Sequence, residues 1–373
     1  MGSGSRRPLI VKGAGLSGLV TALFLARREI PVRVLERAEA PASRFAGGFQ
    51  LLESCTEARD ALEEWQELGI ETDFDLVDAC AARFFCGSRP GLEARSRRPF
   101  AYFVRRGDVD GGVDRSLVRQ VREAGGEVVL GVRGEPECDV LATGPGGQVD
   151  AWAREVVFTT DGEDVCDVFF DHRRAPFGYG YFFVIQGRGT AGVGIMGDPR
   201  RLPELYESFM TPLLRERGVK MQDPRVRTNG LSFFMPLDLD LGARPIRVGE
   251  AVGYQDPVFG LGNRMTVRSA WVAASVLAGE EVPEEVLRRL RRRQMSSVLI
   301  RFAIRLWPNL APRLLSRHVA SRDARQAMVS ALRHRWFHRP LFALVAPWLN
   351  GAATCQHRWP GRHWCMSHWL EGR

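Results

Sequence analysis

Lysine is almost missing from this 373-residue chain: Lys12 and Lys220 are the only two, while arginine is spread throughout. We read that imbalance as a coding bias rather than a dedicated guanidinium chemistry. No nucleic-acid recognition motif accompanies the high pI, so a nucleic-acid partner is not expected. Long apolar runs are also lacking. The ten residues 340–349 (PLFALVAPWL) fall far short of the ~20 needed to span a bilayer. The seven cysteines are odd in number and scattered, which argues against a disulfide framework. The opening MGSGS reads as an extension rather than as structure, no signal-peptide pattern is read in the residues that follow, and Arg6 stands where a myristoylation signal needs Ser or Thr. A reduced, cytoplasmic protein is expected.

The overall composition is that of a globular protein, 45% hydrophobic and 26% charged, which excludes disorder and collagen-like structure. Its length suggests two domains, enough to hold a cofactor and a separate substrate pocket. Charge is unevenly placed. Residues 288–373 carry seventeen arginines against two acids, a local balance of +15, which leaves −7 for residues 1–287.

The first thirty-seven residues carry the clearest signal. A short apolar run from Pro8 to Val11 leads into GAGLSG at Gly13–Gly18, then a helical pattern, then PVRVLER ending in Glu36 and Arg37. This is a strand, a glycine turn, a helix and a strand. Gly13 permits the turn, Gly15 lets the backbone approach a pyrophosphate, and Gly18 lets helix and strand pack closely. Leu16 and Ser17 place their amides at the positive end of the helix dipole, and Glu36 is placed to accept hydrogen bonds from a ribose.

A second glycine block identifies the dinucleotide. Residues 247–277 (RVGEAVGYQDPVFGLGNRMTVRSAWVAASVL) read as a strand, a glycine- and proline-containing loop and a long helix. Here the chain resembles flavoproteins of the para-hydroxybenzoate hydroxylase superfamily, and within it the geranylgeranyl-reductase-like group. The resemblance implies that Gly249 and Glu250 replace a usual Gly-Asp pair facing the FAD ribityl chain. Gly253, Pro257, Gly260, Leu261 and Gly262 match the loop that follows, and Gln255, Asp256 and Phe259 would face the flavin ring as catalytic candidates. Arg106, Asp114 and Leu117 match a further block, with Arg106 on the cofactor side. Residues 138–147 resemble the strand and turn that return to the FAD domain, and Gly178-Tyr179 begins the strand pair typical of the reductase-like group. In all, the resemblance covers residues 8–280. Two departures matter. Ala46 stands where many geranylgeranyl reductases carry a loop cysteine, leaving Arg44 as the polar group there. The halogenases of this fold use a lysine beside a halide tunnel and a Trp-x-Trp-x-Ile-Pro block, and neither is present.

The expected architecture is α/β: a Rossmann-type, doubly wound FAD-binding domain from residues 6–54, 101–150 and 240–281. A mostly antiparallel sheet from 55–100 and 151–239 would cover the flavin. Phe49, Tyr179, Tyr181, Phe183 and Phe234 are candidate walls of a pocket for a lipophilic small molecule, though each also suits plain core packing.

Residues 282–373 match no flavin motif and hold six of the seven histidines and six of the nine tryptophans. They read either as basic helices lying on a membrane surface or as a helical cap on the substrate domain. Cys355, His357, Cys365 and His368 form a weak zinc candidate of non-standard spacing, weighed against an aromatic packing tail.

Three functions remain open: an FAD-dependent oxidoreductase that reduces an alkene by hydride transfer, a flavin monooxygenase, and a non-catalytic FAD-containing membrane or partner-binding protein. No second glycine motif with strand–helix–strand context is present, so electrons would come from transiently bound NAD(P)H or a protein donor.

Overall fold

The computed structural model describes residues 7–45, 47–134, 136–145, 149–237, 241–349 and 363–365. Its first sheet is parallel throughout. Strand Leu9–Lys12 lies at the centre, with Val32–Leu35 and then Glu127–Val129 on one side, and Val140–Leu141 and then Ile246–Arg247 on the other. The chain therefore winds outward in one direction and returns to fill the other. That reversal opens a crevice at the carboxyl end of the central strand, where the glycine turn begins. The helix Leu16–Ala26 is buried along its whole length, packing on Val113–Glu123 and Asn263–Leu277, which explains its nearly unbroken apolar sequence.

Glycine is required twice in the turn. Gly13 has φ +111°, and a Cβ on it would sit 2.5 Å from the Ala142 carbonyl oxygen. A Cβ on Gly18 would lie 1.9 Å from the Gly13 oxygen, so helix and turn meet only because that side chain is absent.

The covering sheet has seven strands, in the order Gln222–Leu231, Ala151–Thr159, Arg188–Ile195, Tyr179–Ile185, Val165–Phe170, Ala81–Cys86 and Leu92–Arg95. All its pairs are antiparallel except Val165–Phe170 with Ala81–Cys86. The two-residue period sorts its faces. Val156, Phe158, Phe182, Val184 and Val193 pack against helix Leu202–Arg217. The alternate residues, including Ala153, Glu155, Val168, Tyr181 and Phe183, face a cavity beneath.

Two boundaries differ from the sequence expectation. Strands Phe49–Glu53, Ala101–Arg105 and Leu76–Ala79 form a separate three-stranded sheet. Helix Ala61–Glu67, expected in the covering domain, belongs to the core of the parallel sheet. Asp60 caps it, accepting from the Leu62 amide at 2.9 Å, and its Trp65 packs with Ile70 and Phe74 beside the first helix. Alternation of apolar residues assigned segment 55–100 to the covering sheet as a whole but held no information on which core each of its elements joins.

The C-terminal helices Glu284–Leu306, Leu310–Ala320, Ala324–Leu332 and His338–Leu349 pack back onto the seven-stranded sheet, through Phe84, Ala94 and Ala151, and onto Phe233 and Met235. Gln294 donates to the Gly253 carbonyl at 2.6 Å. Asp323 accepts from Ser96 Oγ at 3.0 Å and from the Arg97 amide at 2.9 Å, and strand His363–Cys365 pairs with Phe234–Pro236. Among the described residues, no helix is long and apolar enough to cross a membrane.

Candidate functional site

A cavity of about 1220 Å³ runs from the glycine turn, beneath the seven-stranded sheet, to the C-terminal helices. Single ligands usually occupy ~300–1,000 Å³, so this space suits two molecules better than one. The glycine end is lined by Gly13, Gly15, Leu16, Ser17, Glu36 and Arg37. A Cβ on Gly15 would meet nothing within 4 Å, in contrast to Gly13 and Gly18. Gly15 therefore borders open space at the N-terminus of a helix whose first amides lack intrahelical acceptors, and an anionic phosphate is the group that suits such a cradle. Gly18 lies behind the turn and does not line the cavity.

Glu36 closes the end of the second strand. Its carboxylate accepts from the Ala14 amide at 2.7 Å and the Ala38 amide at 2.9 Å, which pins it beside the glycine turn while it lines the cavity. Arg37 is exposed at the rim. Further in, Glu250 accepts from the Ser232 amide at 2.8 Å and from Arg44 at 3.1 Å, and Arg44 lies over the Phe45 ring at 4.5 Å. Arg44 and Glu250 thus form one polar station on the cavity wall, beside Gly144 of the returning turn.

Arg106 also lines the cavity, but its guanidinium is engaged. It donates to both oxygens of Asp114 at 2.8 and 2.9 Å and to Gln50 at 2.6 Å, under cover of Phe45. We assign it to holding the wall in place rather than to direct charge contact with a cofactor.

The loop 253–262 is only partly as the sequence suggested. Pro257, Phe259, Gly260, Leu261 and Gly262 line the cavity. Gly253 does not; its φ is +78° and a Cβ on it would sit 2.2 Å from the Phe234 carbonyl oxygen, so this glycine is committed to packing against the strand. Asp256, expected against the flavin, points away from the cavity. It is fully buried, accepts from the Val258 amide at 3.1 Å, and faces Arg293 at 3.5 Å. The reason is the C-terminal helix: it brings a cation behind the loop, and sequence separation concealed that. Gln255 lines the cavity, yet its side chain donates to the Gly260 carbonyl and staples the loop.

The expected aromatic walls Phe49, Tyr179, Tyr181, Phe183 and Phe234 all border the cavity. Tyr179 donates to the Phe259 carbonyl at 2.5 Å, tying sheet to loop. Of the zinc candidates, Cys365 is buried in the strand paired with Phe234–Pro236; Cys355, His357 and His368 lie outside the described residues.

Three ionisable groups escaped the sequence reading. Glu155 is the acid that the covering sheet turns toward the cavity. Tyr181 donates to it at 2.6 Å and Asn229 at 2.9 Å. Burial pushes its carboxyl above the ordinary range, against the opposing pull of the Tyr181 hydroxyl and Arg44. Alternation along EVVFTT could have marked it, because Glu155 shares a parity with Ala151 and Ala153 and opposes Val156 and Phe158. Glu53, almost fully buried, accepts from the Arg264 amide at 3.1 Å and keeps its other oxygen unpartnered; burial pushes it up to about 7. Arg301, from the C-terminal region, lines the cavity and is 3% exposed. Nothing in the local sequence separates it from its solvated neighbours.

The parallel sheet, its glycine cradle and the covering sheet define the FAD-binding, Rossmann-type fold. No family model matches the chain, and no curated protein matches it. Among solved structures, it is similar to a geranylgeranyl bacteriochlorophyll reductase-like protein from Thermoplasma acidophilum, at 13% identity and a TM-score of 0.65, over 91% of this chain and 98% of that one. A flavin-dependent brominase matches at 15% identity and a TM-score of 0.62, over 91% and 98%. A flavoprotein/dehydrogenase from Cytophaga hutchinsonii matches at 17% and 0.59, over 90% and 95%. At such identities the likeness is one of fold.

Proposed function

We propose that this protein is an FAD-dependent oxidoreductase that reduces an alkene in a lipophilic small molecule. The observation that carries the reading is the continuity of one cavity, from an open cradle at Gly15 to an aromatic chamber walled by Phe49, Tyr179, Tyr181 and Phe183. Gly13, Gly15, Leu16, Ser17, Glu36 and Arg37 would hold the dinucleotide, with Arg44, Glu250 and loop 257–262 toward its ring end. FAD held by these residues would supply hydride chemistry at one alkene carbon, with NAD(P)H or a protein donor as the source of electrons. The other carbon needs a proton, and Glu155 is the group suited to give it. Burial raises its carboxyl above the ordinary range, which favours the protonated form, and Tyr181 and Asn229 fix its direction. The apolar chamber excludes water that would compete for both.

Purified protein should be yellow, and reduced protein mixed with an isoprenoid alkene should reoxidise without oxygen. Glu155→Gln should retain flavin and lose turnover by about 10²-fold, the usual scale of a lost general acid. Reoxidation that requires oxygen and passes through a transient oxygen adduct would move the assignment to a monooxygenase. Flavin that resists reduction would make the protein non-catalytic.

We also propose that the C-terminal region contacts an anionic membrane surface. Among the described residues, eight of the ten large apolar side chains that stand exposed fall within residues 306–344, including Trp307, Leu314, Trp336 and Leu344, and Arg317, Arg335 and Arg339 are exposed among them. Such a surface combines wedge and charge in the way interfacial binding requires.

A further inference from the structure

Arg301 sits where a cation has no carboxylate partner among the described residues. It belongs to helix Glu284–Leu306, which lies beyond every flavin motif, and it borders the cavity while being 3% exposed. One terminal nitrogen contacts the Phe177 carbonyl oxygen and the Met196 sulfur; Nε has no hydrogen-bond partner. No carboxylate lies within ion-pair distance among the described residues. The acid whose charge reaches it, Asp256, has Arg293 at 3.5 Å. Burial depresses the guanidinium to about 9, so it remains charged at neutral pH. A buried cation held by one carbonyl and a thioether is unfavourable by itself, and an anion brought into the cavity would relieve it.

We infer that the substrate is an amphipathic monoanion, an apolar body bearing one carboxylate, with Arg301 as its specificity residue. The surroundings limit the charge to one. Arg293 is matched by Asp256 and, like Arg305 over the Phe177 ring at 5.3 Å, does not line the cavity, so among the described residues Arg301 is the cavity-lining guanidinium at this end. A diphosphate would bring more negative charge than this end of the cavity neutralises. The apolar body is accommodated by Phe177, Tyr179, Met196 and Phe233, which line the cavity around the guanidinium. This inference rests on the proposed small-molecule activity but names the group by which the substrate is recognised.

The test uses the full chain and two probes, farnesoic acid and its methyl ester, whose bodies match and whose charges differ. Calorimetric titration should show the acid binding wild-type protein about tenfold or more tightly than the ester, the scale of a charge-assisted hydrogen bond. Arg301→Met, which keeps the stem and removes the charge, should abolish that preference while leaving ester affinity unchanged. Arg301→Lys should retain part of it and serves as the second variant if Arg301→Met does not fold. Equal affinities for acid and ester in wild-type protein, equal loss of both in Arg301→Met, or no binding of either would overturn the assignment. Flavin absorbance is recorded on the same samples. Colourless protein that still prefers the acid would refute the FAD reading alone, and yellow protein without that preference would refute the Arg301 assignment alone.

Discussion

At Gly15 and Gly18 the same residue type does two separable jobs. A side chain at Gly15 enters open space and one at Gly18 enters a carbonyl oxygen. Gly15→Val should therefore leave the melting temperature of flavin-free protein nearly unchanged while abolishing flavin absorbance. Gly18→Val should lower stability by about 1–3 kcal/mol or more, as overpacking does, whether or not flavin is present. Thermal melts and a visible spectrum on the two variants check this directly. Glu53 offers a pH prediction. Its folded pKa, about 7, lies above its ordinary value of 4.5 because burial disfavours the charged form. The folded state thus binds more protons between these values, and stability should fall as pH rises from about 4.5 to 7, by about 3 kcal/mol at the upper end. Glu53→Gln keeps the acceptor for the Arg264 amide and should flatten that slope in denaturant titrations at pH 5 and 7.

Among the elements, the strand Ala151–Thr159 and the helix Glu284–Leu306 divide the labour of the cavity. The strand delivers Glu155 by simple alternation: once Val156 and Phe158 are committed to the helix above, the odd-numbered residues must face the cavity. The long helix supplies what alternation cannot. Its Arg293 faces Asp256, its Gln294 holds the Gly253 carbonyl, and its Arg301 enters the cavity; Leu315, Val319, Ala324 and Met328 from the two following helices complete the wall. These contacts make the C-terminal helices part of the cavity wall, so a chain ended near residue 285 should be insoluble or markedly destabilised, leaving Asp256 and a large apolar face uncovered. Expression of soluble, yellow truncated protein would contradict this. The same packing explains why the flavin-loop carboxylate is structural: Asp256 is tied to a helix that the motif comparison did not include.

The whole molecule is electrically and chemically polarised. The acidic N-terminal part carries the cradle, and the basic C-terminal part carries both a cavity wall and the exposed apolar side chains. If that outer surface meets anionic lipid, each arginine near the bilayer contributes on the order of 1 kcal/mol at low salt, fading as the Debye length shortens. Liposome co-sedimentation should then be strong with anionic lipid, weak with neutral lipid and reversed by roughly half-molar salt. Because truncation would disturb the cavity, the informative variant is Trp336→Ser with Leu344→Ser, both at exposed positions. It should lose liposome binding and keep its melting temperature; binding indifferent to lipid charge would remove the membrane proposal.

The glycine spacing and its strand–helix–strand setting were readable along the chain because they rest on local rules: backbone angles, close approach at Gly13 and Gly18, and a helix terminus a few residues away. Glu36 was readable for the same reason, since the second strand must end beside the turn. Tyr179, Tyr181 and Phe183 share one parity along their strand, so the sequence could offer them as walls together, though it could not separate walls from core packing. The tertiary structure alone decided that Trp65 joins the parallel-sheet core, that Asp256 turns away from the cavity, and that Arg106 is occupied by Asp114. It likewise brought Glu155 beside Arg44 and Arg301 beside Phe177, pairs separated by more than a hundred residues. What an ionisable side chain does depends on its desolvation and on the charge set opposite it. Both are properties of the folded neighbourhood, and neither is encoded in the residues beside it in sequence.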